Sequence, residues 1–341
     1  RIQGVDSDSV NWGWISDKER FIFEAFSNVD RLDTPLINKK ETENSQQDKS
    51  SWPESLKAAA SALRETSSDR IAILGGSRLT NESQYAWTKV AKGILGTDNI
   101  DAQMGDGLSP EFLLGLPRAT INDACKPGGT IVLLGPDPKE ELGSLYLRLR
   151  HAVVHDGATL IELTPTSTGL TPYAAHSLRV RPGETTEVVR SMFGEGGVAP
   201  IGGVDPEDAK KAGSLLQAAD SVTVLLGRSS LAETEGPVID AALALHDRLA
   251  DVQFLSLIRR GNIHGAFDMG MAPNLLPGRT TLISHQASIK EIWPTLPTTR
   301  GHDAVQIIES AAEGKIDVLV LLGADPLNDF PDKNLVEKAI E

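Results

Sequence analysis

The sequence predicts an α/β protein built from two doubly wound parallel-sheet lobes behind an irregular N-terminal extension. Three observations predict it. First, six short runs rich in Leu, Val and Ile recur along the chain: Ile71–Leu74, Thr130–Leu134, Thr159–Leu163, Ser221–Leu226, Val252–Leu257 and Asp317–Leu322. Most are apolar without alternation, the pattern of strands buried on both faces. Second, helix-length stretches separate them, and strands alternating with helices imply right-handed βαβ crossovers. Third, Val132-Leu-Leu-Gly-Pro-Asp137-Pro138 is echoed by Val320-Leu-Leu-Gly-Ala-Asp325-Pro326, with a partial copy at Val224-Leu-Leu-Gly-Arg228. Each copy is a strand ending in a Gly turn, which suggests two related lobes facing one another across a cleft.

Taken in order, the chain opens with a polar segment carrying Trp12, Trp14, Phe21, Phe23 and Phe26. Residues 38–51 hold no apolar side chain and read as a solvated linker. Trp52-Pro53-Glu54 then opens a helix, with Pro53 suited to the first turn and Leu56, Ala59, Ala60 and Leu63 as its apolar stripe. The Gly- and Pro-rich stretch from Phe193 to Pro206 marks a domain boundary. The expected organisation is therefore an extension and linker over 1–51, a first lobe over 52–195 and a second over 206–341.

Composition narrows the function. Of the 341 residues 40% are hydrophobic and 5% aromatic, so the cores rely on Leu, Val, Ile and Ala. A formal net charge of −14 repels phosphate backbones and makes nucleic acid an unexpected partner. No apolar run approaches the roughly 20 residues that span a bilayer, so no direct membrane insertion is expected. The start lacks both a signal-peptide core and an initiator Met, which suggests a cut or processed product; cytoplasmic residence is the expectation. The lone Cys125 makes no internal disulfide and cannot hold an iron–sulfur cluster, which needs about four thiolates. It reads as a buried structural thiol.

Candidate chemistry is sparse. Leu74-Gly75-Gly76-Ser77 follows a strand and precedes a helix, where small residues and free N–H groups suit an anion, yet no dinucleotide or P-loop spacing follows. A tight strand-to-helix turn is the favoured reading. His151 and His155 share a helix face without a marked third metal ligand, and Glu140-Glu141 suit a helix start. No G-x-S-x-G or Ser/His/Asp spacing occurs, so no catalytic and no metal residue is assigned.

Several stretches nevertheless occur in a telling order. Thr80-Asn-Glu-Ser-Gln-Tyr85 and Gly96-Thr-Asp-Asn-Ile-Asp101 resemble the T-N-E-E-x-Y and G-T-N-N-I-D motifs of molybdopterin oxidoreductases such as formate dehydrogenases. Gly135-Pro-Asp-Pro-Lys-Glu140 is similar to their G-S-N-P-x-E, and Arg148-Leu-Arg-His-Ala152, Asp156-Gly-Ala-Thr-Leu-Ile161, Leu178-Arg-Val-Arg-Pro-Gly183 and Gly323-Ala-Asp-Pro326 continue the series. Val10-Asn-Trp-Gly-Trp-Ile-Ser-Asp-Lys-Glu-Arg-Phe21, Asn262-Ile-His-Gly-Ala-Phe-Asp-Met-Gly270 and Leu321-Leu-Gly-Ala-Asp-Pro-Leu-Asn-Asp-Phe-Pro331 resemble more narrowly the large iron–sulfur subunits of bacterial NADH–quinone oxidoreductases. Against that family the second lobe is shorter.

The resemblance implies sites that this sequence has altered. Active relatives bind metal shortly after N-N-I-D through Cys, selenocysteine, Ser or Asp; here only Asp106 and Ser109 could substitute. Their D-P-R, which helps hold a pterin dinucleotide, is Thr164-Pro-Thr166, and their cofactor-facing Asn is Asp137 in one lobe and Asp325 in the other. A cluster-ligating Cys of active relatives is replaced near Ser16. Gly75, Asp137, Thr164 and Asp325 are thus the candidates for a vestigial cleft, with the Asp137 and Asp325 carboxylates expected either to cap the helices that follow or to pair with a nearby base. What is implied is a structural region with no cofactor of its own. It would support electron transfer from NADH to quinone by iron–sulfur clusters in upstream segments, among other subunits of the complex I peripheral arm at the inner face of the plasma membrane. The alternatives are a working molybdopterin enzyme of the formate dehydrogenase kind and a nucleotide-binding module using Gly75–Ser77.

Overall fold

The computed structural model describes residues 2–26, 31–38, 47–196, 199–231 and 233–341. Eight strands form two parallel sheets: β1 (Ile71–Gly75), β2 (Ile100–Asp101), β3 (Thr130–Leu134), β4 (Thr159–Thr164), β5 (His176–Arg179), β6 (Val222–Leu226), β7 (Val252–Ser256) and β8 (Val318–Leu322). All six apolar runs picked out in the sequence are strands. The helices used below are α1 (Trp52–Glu65), α2 (Asn81–Thr88), α3 (Gly143–His155), α4 (Thr185–Met192), α5 (Pro206–Ala218), α6 (Gly236–Arg248), α7 (Ile263–Asp268), α8 (Ala304–Ala312) and α9 (Lys333–Ile340).

The chain divides into two units, each discontinuous in sequence: Arg1–Phe23 with Asp106–Arg259, and Glu24–Gly105 with Arg260–Glu341. The first holds a five-stranded sheet in the order β5-β4-β3-β6-β7, every neighbouring pair parallel. Its inner strands β3, β4 and β6 are largely apolar on both faces because both are covered. Val132, Leu134, Ile161, Leu163, Val224 and Leu226 pack with Val188 and Met192 of α4, Ala212 and Leu216 of α5, and Ala241 and Leu245 of α6. Ile131, Leu133, Leu160 and Leu225 pack on the other side with Leu145, Leu149 and Ala152 of α3.

The Phe193–Pro206 stretch falls inside this unit, joining α4 to α5, which share one core. The physical reason is strand pairing. Val132 lies opposite Val224, so the crossover returns β6 to the side of β3 in the same sheet. The partial Gly-turn copy at Gly227 is therefore a neighbour of Gly135 and no part of another sheet. A Cβ on Gly227 would stand 2.8 Å from the Leu257 carbonyl oxygen and 2.9 Å from Pro136 Cδ, so only glycine fits where these strand ends converge.

The second unit holds a three-stranded sheet in the order β8-β1-β2, all parallel. Its central strand comes from the first third of the chain and its edge strand from the last 25 residues, paired Val318 to Ile71 and onward in step. Ala72, Leu74 and Met104 pack with Ile307 and Ile308 of α8, with Val336 of α9 and with Phe330 before it.

α1 begins as the sequence suggests. The Ser51 hydroxyl accepts from the Glu54 N–H, the Glu54 carboxylate takes the Ser51 N–H at 3.0 Å, and Pro53 sits in the first turn. Its apolar stripe is not buried: no residue of α1 is. The linker reading also needs correction at its end. Gln47–Lys49 pairs antiparallel with Leu36–Asn38, satisfying backbone groups that side-chain polarity alone left to water; residues 39–46 of that linker lie outside the described residues. Among the described residues no helix is long and apolar enough to cross a membrane.

Candidate functional site

In the second unit the Gly75–Ser77 turn closes on its own neighbours. Gly75 has φ +98° and Gly76 φ +92°. A Cβ on Gly75 would stand 2.6 Å from the Ala324 Cβ, and one on Gly76 would stand 2.5 Å from Met271 Cε. The Gly76 N–H donates to the Leu322 carbonyl at 2.7 Å, and Gly75, Gly76 and Ser77 are all buried. A phosphate cradle presents free N–H groups outward. This turn instead brings the ends of β1 and β8 together, and with them Gly75 beside the residue preceding Asp325.

The T-N-E-S-Q-Y motif is tied to a distant segment. Asn262 Nδ2 donates to the Leu79 carbonyl (2.9 Å) and to Asn81 Oδ1 (2.8 Å), while the buried Gln84 donates to the carbonyls of Gly76 (2.9 Å) and Asn262 (3.1 Å). The T-D-N-I-D motif is spent the same way. Asp98 Oδ2 takes the N–H groups of Asn274 (2.7 Å) and Gly301 (2.8 Å), Asn99 Oδ1 takes that of His302 (3.0 Å), and Asp101 Oδ2 takes that of Ala304 (3.0 Å). The fully buried Lys92 faces Asp98 Oδ1 at 2.7 Å. These motif side chains hold loops to the sheet.

Asp325 is exposed and does not cap the helix after it. Its Oδ2 accepts from Asn328 Nδ2 at 2.6 Å, and its side chain takes no backbone N–H of that helix. The expectation of a capping carboxylate fails here: at φ −127° and ψ 86° the Asp325 carboxylate is taken up by the Asn328 amide instead of the helix's N–H groups.

In the first unit Asp137 does cap. Its Oδ1 accepts from the Lys139 N–H and its Oδ2 from the Gly169 N–H, both at 2.9 Å. Thr164, at the end of the adjacent strand β4, is buried. Its hydroxyl donates to the Thr166 carbonyl (2.9 Å) and accepts from Arg179 Nη1 (2.8 Å). That guanidinium also donates to the Thr166 carbonyl (3.0 Å) and the Thr171 hydroxyl (3.1 Å), and lies 3.7 Å from Glu162 Oε2. Glu162, wholly buried in β4, accepts from the hydroxyls of Thr168 and of Ser177, the latter at 2.8 Å. Asp137 and Thr164 thus stand at the carboxyl end of neighbouring strands, joined through the 164–171 loop.

The two substitute metal positions are held differently. Asp106 lies 3.7 Å from Arg259 Nη1, whose Nη2 reaches Glu141 Oε1 at 2.7 Å, and the Ser109 N–H donates to Glu235 Oε2 at 2.7 Å. Ser16 caps a short helix reciprocally with Glu19. Cys125 is buried, and burial pushes its thiol up to about 11. His151 pairs with Asp156 at 3.1 Å and lies against Trp12, Trp14 and His155. Among the described residues no three of His, Cys, Asp and Glu gather to hold a metal ion.

Arg179 and Asn262, quoted above only as members of family-like stretches, and Glu162 and Lys92, not quoted for a role, carry these networks. Glu162 alone gave a signal: a charge inside an apolar strand buried on both faces must have partners.

Residues 31–341 match the family model for molybdopterin oxidoreductase. The chain belongs to the molybdopterin oxidoreductase family. Within it, the chain is 27% identical over 390 residues to the NADPH-Fe(3+) oxidoreductase subunit alpha of Geobacter sulfurreducens, covering all of this chain and 45% of that one. It is 29% identical over 366 residues to an NADH-quinone oxidoreductase subunit of Streptomyces coelicolor, covering all of this chain and 42% of the relative. The chain therefore spans less than half the length of these relatives. The acetylene hydratase from Pelobacter acetylenicus shares the fold, with a TM-score of 0.61 at 14% identity over 92% of this chain and 52% of that one.

Proposed function

We propose that this member of the family is a structural, cofactor-free region of an NADH–quinone oxidoreductase subunit, supporting electron transfer by cluster-bearing parts outside this chain. The observation that carries the reading is Arg179 at Thr164. Where active relatives place D-P-R toward a pterin dinucleotide, this guanidinium spends its N–H groups on the Thr164 hydroxyl and the 164–171 loop, with its charge 3.7 Å from the buried Glu162. Beside it Asp137 presents a carboxylate, an acceptor with nothing to donate to a phosphate oxygen. These groups satisfy one another and do not fit the dinucleotide. The corresponding turn in the second unit is buried against Leu322 and Met271.

The partners in this reading are other subunits of the peripheral arm, with the assembly at the inner face of the plasma membrane; relatives that are themselves oxidoreductase subunits support it.

Metal and pterin analysis tests the reading. The polypeptide encoded by the whole reading frame, produced with molybdate and tungstate supplied, is expected to hold far less than one equivalent of either metal and to yield no fluorescent pterin on oxidation. About one equivalent of metal per chain together with pterin means instead a working molybdopterin enzyme, and refutes the proposal.

A further inference from the structure

Residues 2–14 add nothing to a core, for none of them is buried. They form a loop tied to itself. The Ser7 carbonyl takes the N–H groups of Val10 (3.0 Å), Asn11 (2.9 Å) and Trp12 (3.1 Å), and the Asn11 carbonyl takes that of Trp14 (2.7 Å). Gly4 lies so near Gly13 that a Cβ on it would collide with the Gly13 carbonyl. The loop rests on α3 chiefly through one guanidinium. Arg148 Nη1 donates to the carbonyls of Asp8 (3.2 Å) and Val10 (3.1 Å), and Nη2 to Asn122 Oδ1 (2.8 Å). The same group stands 3.7 Å from the centre of the Trp12 ring. The rings of Trp12 and Trp14 also lie against His151, and the Ser144 hydroxyl reaches the Trp14 carbonyl only at 3.5 Å.

Two unfavourable terms meet at that contact. The first is charge. Arg148 is 2% exposed, yet among the described residues no carboxylate pairs with it, and its Nε has no acceptor. The wholly buried Lys92, by contrast, has Asp98 at 2.7 Å. A buried cation without a counter-charge disfavours the state that buries it. The second is backbone strain. Trp12 has φ +52°, a left-handed conformation that bulky side chains resist, and Gly13 follows it at φ +75°. The stack on Arg148 and His151 holds Trp12 there. With no buried apolar side chain to oppose these terms, the loop sits at the low-stability end of the molecule.

We propose that residues 2–14 are a strap poised to open from α3, with Arg148 as its latch. Once off Arg148, Trp12 has nothing to keep it left-handed, so the N–H groups bonded within the loop are released on opening. The experiment is residue-resolved amide hydrogen exchange on the polypeptide encoded by the whole reading frame. Trp12 and Trp14 should exchange at least about 100-fold faster than Val132 and Ile161 in the sheet, the mark of a local opening. Arg148→Met should speed Trp12 and Trp14 by about tenfold or more, the effect of losing a charged hydrogen bond, and change Val132 and Ile161 far less. Asn122→Asp sets a carboxylate beside Nη2, supplies the missing counter-charge and should slow Trp12 and Trp14 below their rates in the parent; a loop that merely frays would not respond. The idea is overturned if Trp12 and Trp14 exchange no faster than Val132 in the parent, or if Asn122→Asp leaves their rates unchanged or raises them. An Arg148→Met chain that fails to fold overturns it as well, since Arg148 would then be part of the core and no latch.

Discussion

The ammonium group of Lys92 lies 2.7 Å from Oδ1 of Asp98, with both side chains shut away from solvent. Lys92 donates further to the carbonyls of Ala272 (2.8 Å) and Leu275 (2.5 Å), and Asp98 Oδ2 takes the N–H groups of Asn274 and Gly301. One ion pair thus holds the 272–275 and 301 segments to the region between α2 and β2. Removing one partner of a buried pair strands a charge and costs about 3–5 kcal/mol. Lys92→Met and Asp98→Asn should each lower the urea midpoint sharply, and the double variant should lose clearly less than the sum of the two. Strict additivity would show that the two charges are not coupled.

Cys125 supplies a prediction about pH. Its thiol is pushed to about 11 by burial, above the ordinary 9.0, with Arg148 pulling weakly the other way. The unfolded chain therefore releases this proton first as pH rises, so the unfolded state binds fewer protons between roughly 9 and 11 and stability falls with pH. The contribution is whole below pH 9 and is lost progressively as pH rises through about 11. Two units correspond to on the order of 2–3 kcal/mol. Measured as denaturation midpoints, the loss from pH 8.5 to 11 should be smaller in Cys125→Ala than in the parent. The native thiol should also resist alkylation at pH 8, while the urea-unfolded chain reacts; equal rates in both states would contradict its burial.

The legible part of the fold was the part with a short-range signature. Unbroken apolar runs announced β1, β3, β4, β6, β7 and β8, because strands covered on both faces need such runs. Strand order had no such signature. That β8 pairs with β1 across some 240 intervening residues, and β6 with β3, depends on which crossover returns to which sheet, so a boundary read from Gly and Pro composition fell within a unit. The candidate positions show the same division. Asp137 was readable as a helix cap because Asp-Pro-x-Glu is local. The partners of Thr164 were not, since Arg179 lies 15 residues away on another strand.

The Arg179–Glu162 relationship gives a third test. Glu162 is wholly buried, and the Arg179 guanidinium stands 3.7 Å from its carboxylate. Arg179→Leu takes that counter-charge away and leaves the carboxylate to its hydroxyl donors, a loss of about 3 kcal/mol or more for a buried charge. Adding Glu162→Gln should recover much of that loss, because a neutral amide needs no cation. If Arg179→Leu alone is nearly silent in chemical denaturation, the guanidinium is not what closes the end of β4, and the cofactor-free reading loses its chief support.

Asp137 and Asp325 occupy equivalent positions of the sequence echo, yet the same substitution should act differently on each. Both oxygens of Asp137 accept backbone N–H groups, from Lys139 and from Gly169. An Asn there must turn its NH2 toward one of those donors, leaving a backbone N–H without an acceptor, at about 1–3 kcal/mol. Asp325 is exposed and its Oδ2 accepts from Asn328 Nδ2, so an Asn can present its carbonyl oxygen to the same donor. Asp325→Asn should therefore stay within about 0.5 kcal/mol of the parent, as surface changes usually do. Separate urea titrations of Asp137→Asn and Asp325→Asn measure the contrast. The double variant also carries the two amides found in active relatives, and it should still bind no pterin dinucleotide in equilibrium dialysis, because Arg179 continues to fill the end of β4 beside Thr164. Tight binding by that variant would mean that the two carboxylates, and not the closed strand end, are what exclude the cofactor.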